Sequence, residues 1–190
     1  MAFQAVLKIL TLAYLIGVGV WFATAQAKFS QSSKAQPMLF IMVGCSLVAT
    51  LATLVATIFD AVPVSRIMAT VATTTLCVFI IKWAFRSINK GNLGLVFSGV
   101  VPSQVIQHGP YRYVRHPLYL AYSMFWLGCV VISASMIVGV AASIVIILYV
   151  IAARAEERDL MSSSLGEGYA MYRERTGLII PRVFAKRSRH

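Results

Sequence analysis

Between residues 108 and 122 the chain packs His108, Gly109, Pro110, Tyr111, Arg112, Tyr113, Arg115, His116, Pro117, Tyr119 and Tyr122 into one stretch between apolar runs. Guanidinium, imidazole and phenol groups at this density can hold an anion or sit against a cation. Gly109-Pro110 reads as a turn. Pro117 suits the first turn of a helix, where a missing N–H costs nothing. His116 is therefore expected at the mouth of a helix that enters an apolar run, with Arg112, Arg115 and Tyr119 beside it at a membrane surface.

A second group follows downstream in Arg154, Glu156 and Glu157. Arg154 and Glu157 are three apart, so on a helix they share a face. A cation and a carboxylate aimed together at the edge of a bilayer can clamp a charged group on a lipid-like molecule. A plainer reading stands beside each group. The tyrosines suit an interfacial aromatic belt and the arginines suit membrane anchors. Glu157 paired with a nearby arginine would be worth about 0–1 kcal/mol if exposed. The glycine-rich stretch 89–109 matches no phosphate-binding or dinucleotide pattern, and Asn89 and Asn92 read as turn residues.

The elements that must position these groups are membrane helices. Of 190 residues 59% are hydrophobic and only 12% charged, and the mean hydropathy is +0.79. A soluble domain would be far more polar. The formal net charge of +11 would suit nucleic acid, but the basic residues flank apolar runs, where they act as topology signals. Nucleic acid is therefore not an expected partner, and membrane lipids are. Cys45, Cys77 and Cys129 all lie inside apolar runs and show no metal or disulfide spacing, so they read as small hydrophobes.

Five spans are expected, at 5–27, 38–59, 67–85, 117–131 and 136–153. Each approaches or reaches the length a bilayer core of about 30 Å requires. Lys8, the first apolar run and Ala25-Gln26-Ala27 resemble a signal peptide, but a retained helix fits the charge pattern better. Residues 86–115 form a long connection of a kind that is usually functional. Ser133-Ala134-Ser135 is a tight turn joining the last two spans into a hairpin. Residues Glu156 to Tyr172 read as an amphipathic surface helix interrupted around Gly166 and Gly168. Lys8 and Arg66 fall on one side of this arrangement, and the other 15 of 17 lysines and arginines on the opposite side. Positive loops stay in the cytoplasm. The N-terminus is thus expected outside, with the C-terminus and the 108–122 turn facing the cytoplasm. No internal repeat is visible, and nothing in the sequence fixes an oligomeric state. One all-α membrane domain over 1–190 is expected, with spans 1–2 (1–66) accessory and 67–190 as the core.

The run Gly109-Pro110-Tyr111-Arg112-Tyr113-Val114-Arg115-His116-Pro117-Leu118-Tyr119 is followed by a helical hairpin. Then come Glu156-Glu157-Arg158-Asp159-Leu160 and Gly166-Glu167-Gly168-Tyr169. Together they resemble the isoprenylcysteine carboxyl methyltransferase family and related membrane phospholipid methyltransferases, over about residues 86–184. The filling Ser162-Ser163-Ser164 departs from that pattern. The resemblance implies S-adenosylmethionine as methyl donor, bound on the cytoplasmic side. It implies that Ser103, Gln104, Val105 and Ile106 hold the donor through their backbone. Gly109, Tyr111, His116, Pro117, Leu118, Tyr119 and Glu156 would supply further donor contacts. It places Arg154 and Glu157 toward a lipophilic acceptor, a prenylcysteine-like carboxylate before others.

The residue types suit that chemistry. Tyrosine faces can sit against a sulfonium, worth about 0.5–2 kcal/mol. The amides at the start of a helix can hold a carboxylate. A carboxylate acceptor needs no base and would be oriented by Arg154, whereas an amine would need one, with Glu157 as candidate. Two other readings remain. One is the same fold acting on a phospholipid amine, a thiol or a small lipophile. The other is a non-enzymatic membrane assembly or transport subunit, although transporters usually carry charged or broken helices at mid-membrane.

Overall fold

The computed structural model describes residues 2–29, 36–88 and 105–182. These are helical apart from short connections and one isolated backbone bridge. The described α-helices are α1 (Ala2–Phe29), α2 (Gln36–Phe59), α3 (Val64–Ser87), α4 (Pro117–Ser133), α5 (Met136–Met161) and α6 (Gly166–Arg175), with a 3₁₀ turn at Gly109–Arg112. Among the described residues, three stretches are long and apolar enough to cross a membrane: Ile41–Phe59, Val64–Ser87 and Met136–Met161. Ala5–Val20 and α4 are apolar but shorter. All five expected apolar helices are therefore present in an all-α bundle.

The α4 helix is the centre of the bundle. It packs on α3, α5 and α2, while α2 lies along α5 and α1 leans on α3 from outside. The buried core gathers Cys77, Ile81, Ala121, Tyr122, Trp126, Ile132, Val145 and Tyr149. Ile9, Leu10, Leu47, Leu51, Phe79, Ile137 and Ile147 point outward, which suits a lipid-facing surface rather than water. The three cysteines are free, with Cys77 and Cys129 buried, as expected of small hydrophobes.

The α3–α4 crossing is set at Gly128. The Thr70 hydroxyl donates to the Gly128 carbonyl at 3.2 Å. A Cβ on Gly128 would lie 3.0 Å from Thr73 Oγ1 and 3.4 Å from Thr74 Oγ1. Gly128→Ala should therefore push the helices apart, at about 1–3 kcal/mol for overpacking. A lowered thermal midpoint in detergent is the expected readout, and an unchanged one would show that the crossing yields.

Two helix ends differ from the sequence expectation. The α5 helix does not end with the expected span at 153 but runs on through both glutamates to Met161. The break before α6 falls at 162–165, ahead of Gly166 rather than around Gly166 and Gly168. The serines account for it. Ser162 Oγ donates back to the Arg158 carbonyl at 2.9 Å and Ser163 Oγ to the Leu160 carbonyl at 2.7 Å. Ser163 Oγ also accepts the Leu165 amide at 3.2 Å. Such bonds offer the backbone an alternative to another helical turn. The α6 helix then reaches Arg175, beyond the expected end at Tyr172.

The α4–α5 turn is as tight as expected. Ala134 adopts a left-handed conformation at φ 47°, and its amide closes α4 on the Val130 carbonyl at 2.9 Å. The resulting antiparallel hairpin brings the start of α4 and the end of α5 to one end of the bundle. Lys8 lies at the other end, where its ammonium donates to the Asp60 carbonyl. Asn89, Asn92, Ser103 and Gln104 lie outside the described residues.

Candidate active site

The turn that leads into α4 rests on α3. Gly109 takes φ +62°, and a Cβ there would overlap the Ser87 side chain. A left-handed backbone against a neighbouring helix favours glycine at that point. The 3₁₀ turn closes with the Tyr113 amide on the Pro110 carbonyl at 3.0 Å. Residues 113–116 then pair with a segment that follows α6. Val114 and Gly177 form a parallel bridge. The Arg115 amide donates to the Gly177 carbonyl at 2.8 Å and the His116 amide to the Leu178 carbonyl at 3.0 Å.

The two glutamates, adjacent on α5, occupy different environments. Tyr149, Ala153 and Glu157 are all buried, at the i, i+4, i+8 spacing of one helix face. The Glu157 carboxylate is held from several sides. Arg115 Nε donates to Oε1, and the Tyr169 hydroxyl donates to the same oxygen at 3.1 Å. Arg173 Nε stands 3.9 Å from Oε2. The Arg115 and Glu157 side chains are only 7% and 8% exposed. The Glu156 side chain, at the edge of that face, is 49% exposed. Its Oε1 accepts the Tyr119 hydroxyl at 2.6 Å.

His116 lies between the two. Nδ1 is 3.4 Å from Glu156 Oε2 and Nε2 is 3.6 Å from Glu157 Oε1. These are ion-pair distances, long for hydrogen bonds, and Nε2 is buried without a hydrogen-bond partner. Burial acts to lower the imidazole pKa, but the two carboxylates outweigh it and the net shift is upward. The ring stacks on Tyr119 with centroids 5.6 Å apart. Tyr119 stacks in turn on Tyr149 at 5.4 Å and 18°, and the Tyr149 hydroxyl accepts the Trp126 indole N–H at 3.3 Å. Tyr111 closes another side. Its carbonyl accepts the Tyr172 hydroxyl at 2.6 Å. Burial, then the charges of Tyr172 and Glu156, push its phenol above the usual range.

The structure thus brings Gly109, Tyr111, His116, Tyr119, Glu156 and Glu157 to one place. Pro117 and Leu118 are buried in the bundle. What they leave to the site is the first turn of α4, whose amides have no intrahelical acceptor. Val105 and Ile106 are half-buried just before the turn. Arg154 differs from expectation. It is exposed, and the guanidinium beside Glu157 belongs to Arg115. Three residues leave about 60° between side chains on a helix, which here separates a buried position from an exposed one. Tyr149 and the segment 176–178 have no signature in the sequence, while Tyr169 closes the Gly166-Glu167-Gly168-Tyr169 motif without a role assigned to it there. Arg115 has one, its place next to His116, but reads there as an anchor.

A family model for phospholipid methyltransferase matches residues 64–168. The chain is also similar to a methanethiol S-methyltransferase of Crocosphaera subtropica, 35% identical over 77 residues, which is 40% of this chain and 29% of that protein. The match spans under a third of the relative's length. No solved structure matches.

Proposed function

Because the chain belongs to the phospholipid methyltransferase family, whose model its residues 64–168 match, we propose that it transfers a methyl group from S-adenosylmethionine to a lipophilic acceptor where α4 begins. The observation that carries this is His116: a buried imidazole with an unsatisfied Nε2, stacked on Tyr119 and flanked by the half-exposed carboxylate of Glu156. A polar atom buried without a hydrogen bond is costly, and a ligand that supplies one removes that cost. S-adenosylmethionine, when bound, supplies a methyl group activated on a sulfonium.

In this reading Glu156 takes the donor's ammonium or ribose hydroxyls. The Tyr111 ring sits against its cation, Tyr119 holds Glu156 in place through its hydroxyl, and the first-turn amides of α4 take its carboxylate. Gly109 lets the backbone approach, and the backbone of Ser103, Gln104, Val105 and Ile106 completes the donor cradle. The protein's share of catalysis is positioning and the exclusion of water. The site is assigned to the cytoplasmic face, because most lysines and arginines fall on its side.

For the acceptor we propose a prenylcysteine-like carboxylate. It is ionised at neutral pH and needs no base. Glu157, already engaged by Arg115 and Tyr169, is then left as an anchor at the acceptor side. Arg154, exposed on the bilayer side of Glu157, would orient the acceptor's charge. A thiol acceptor is the second reading, favoured by the similarity to a methanethiol S-methyltransferase. A phospholipid amine is the reading that the family's description favours.

The test is calorimetry of S-adenosylmethionine on detergent-purified protein, followed by labelled-methyl transfer to prenylcysteine, thiol and phosphatidylethanolamine acceptors. Micromolar-scale donor binding with label on the prenylcysteine is expected. No heat at millimolar donor removes the methyltransferase reading. Label on one of the other two acceptors reassigns the substrate.

A further inference from the structure

We infer that Arg115 is a positioning residue for the proposed methyl transfer, fastening the segment after α6 to Glu157 and so fixing the wall that the donor meets. The inference rests on the donor site proposed above. The sequence offers Arg115 as a membrane anchor or as one possible partner of a glutamate but gives no sign that it fastens a further segment, and that segment lies beyond residue 168, where the family match ends.

The geometry is specific. The Arg115 side chain is buried, and its guanidinium serves three elements at once. Nε donates to Glu157 Oε1 on α5. Nη1 donates to the Arg173 carbonyl in the last turn of α6 at 3.0 Å and to the Thr176 carbonyl just beyond it. The backbone of the same residue pairs with Gly177. Thr176 Oγ1 donates to the Tyr172 carbonyl at 2.8 Å, and the Tyr172 hydroxyl holds the Tyr111 carbonyl. One side chain therefore sets the distance between the Glu157 carboxylate, the 176–178 segment and the turn that carries Tyr111 and His116.

The planar guanidinium fork suits this task, since several N–H donors leave it in fixed directions. A lysine offers a point charge on a flexible stem. Remove the fork, and Glu157 keeps its charge with His116 as the nearest buried cation. The imidazole is then drawn toward Glu157 and away from Glu156, which the donor is proposed to meet. Loss of Arg115 should consequently change donor affinity and its pH dependence, not only stability.

The experiment compares full-length wild type, Arg115→Gln, Arg115→Lys and Gly128→Ala in detergent. Donor affinity is measured by calorimetry from pH 6 to 9, and unfolding by thermal midpoint. Arg115→Gln should weaken S-adenosylmethionine binding about tenfold or more and move the midpoint of its pH profile, as a small misplacement of a positioned group does. Arg115→Lys should recover part of the loss, because it restores the charge beside Glu157 but not the carbonyl contacts. Gly128→Ala, which acts far from the site, should lower the thermal midpoint with donor affinity unchanged. A loss under about threefold in Arg115→Gln, at an unmoved pH midpoint, overturns the inference. So does an equal loss in Gly128→Ala, which would make the effect one of stability. Should Arg115→Gln not fold, Arg115→Lys decides, and wild-type affinity there overturns the role. Absence of donor binding in the wild type would instead sink the proposed function itself.

Discussion

Glu157→Ala is expected to destabilise the protein by about 3–5 kcal/mol, the cost of leaving a buried charge without its partner. Arg115 and Glu157 are nearly sealed from solvent, at 7% and 8% exposure of their side chains. Removing the carboxylate strands the guanidinium and the Tyr169 hydroxyl together. Glu157→Gln should cost less, since an amide oxygen still accepts from both donors. Glu156→Ala, one residue away, should leave the thermal midpoint nearly unchanged, because that side chain is 49% exposed. Its effect should fall on donor binding. Thermal and denaturant unfolding of the three variants in detergent checks the contrast. Equal destabilisation by Glu156→Ala and Glu157→Ala would contradict the division between a buried anchor and a half-exposed ligand group.

His116 gives the second large effect, as a function of pH. The groups facing it are Glu156 and Glu157 from α5, Arg115 beside it, and the Tyr119 ring. Burial disfavours a charged imidazole, but the two carboxylates outweigh it, so the folded pKa lies above the ordinary value of 6.5. A group whose pKa is raised by folding stabilises the folded state in its protonated form. That contribution is complete below pH 6.5 and is lost as pH rises through the folded value. The thermal midpoint of the donor-free protein should therefore fall from pH 6.5 upward. His116→Gln should flatten the fall over that window. A midpoint that rises across the window would reverse the sign and place the neutral imidazole in the folded state.

Much of the site is legible in the amino-acid sequence because it depends on local rules. A three-residue turn at Ser133-Ala134-Ser135 forces an antiparallel hairpin, and a hairpin returns Glu156 to the level of His116. Pro117 marks the helix start it usually marks, and the apolar runs locate the helices to within a few residues. Two features are not legible in that way. Spacing alone puts Arg154 on the same face as Glu157, but a three-residue spacing does not say which of two neighbours lies inside the buried face. Packing of Tyr149 and Ala153 against the bundle decides that. The task of Arg115 is hidden for another reason. It depends on where the chain goes after α6, and Thr176-Gly177-Leu178 carries no periodicity that would foretell pairing with residues 113–116.

That pairing also bears on how the protein is made. Arg115 and Thr176 are 61 positions apart, and the stretch between them includes both arms of a membrane hairpin and α6. During translation the turn before α4 leaves the ribosome and waits while α4 and α5 are inserted. Only when the chain beyond α6 emerges can Gly177 close on Val114. Until then the guanidinium lacks the carbonyls of residues 173 and 176, and a chain stalled before residue 176 would have an embedded bundle with an unfinished pocket.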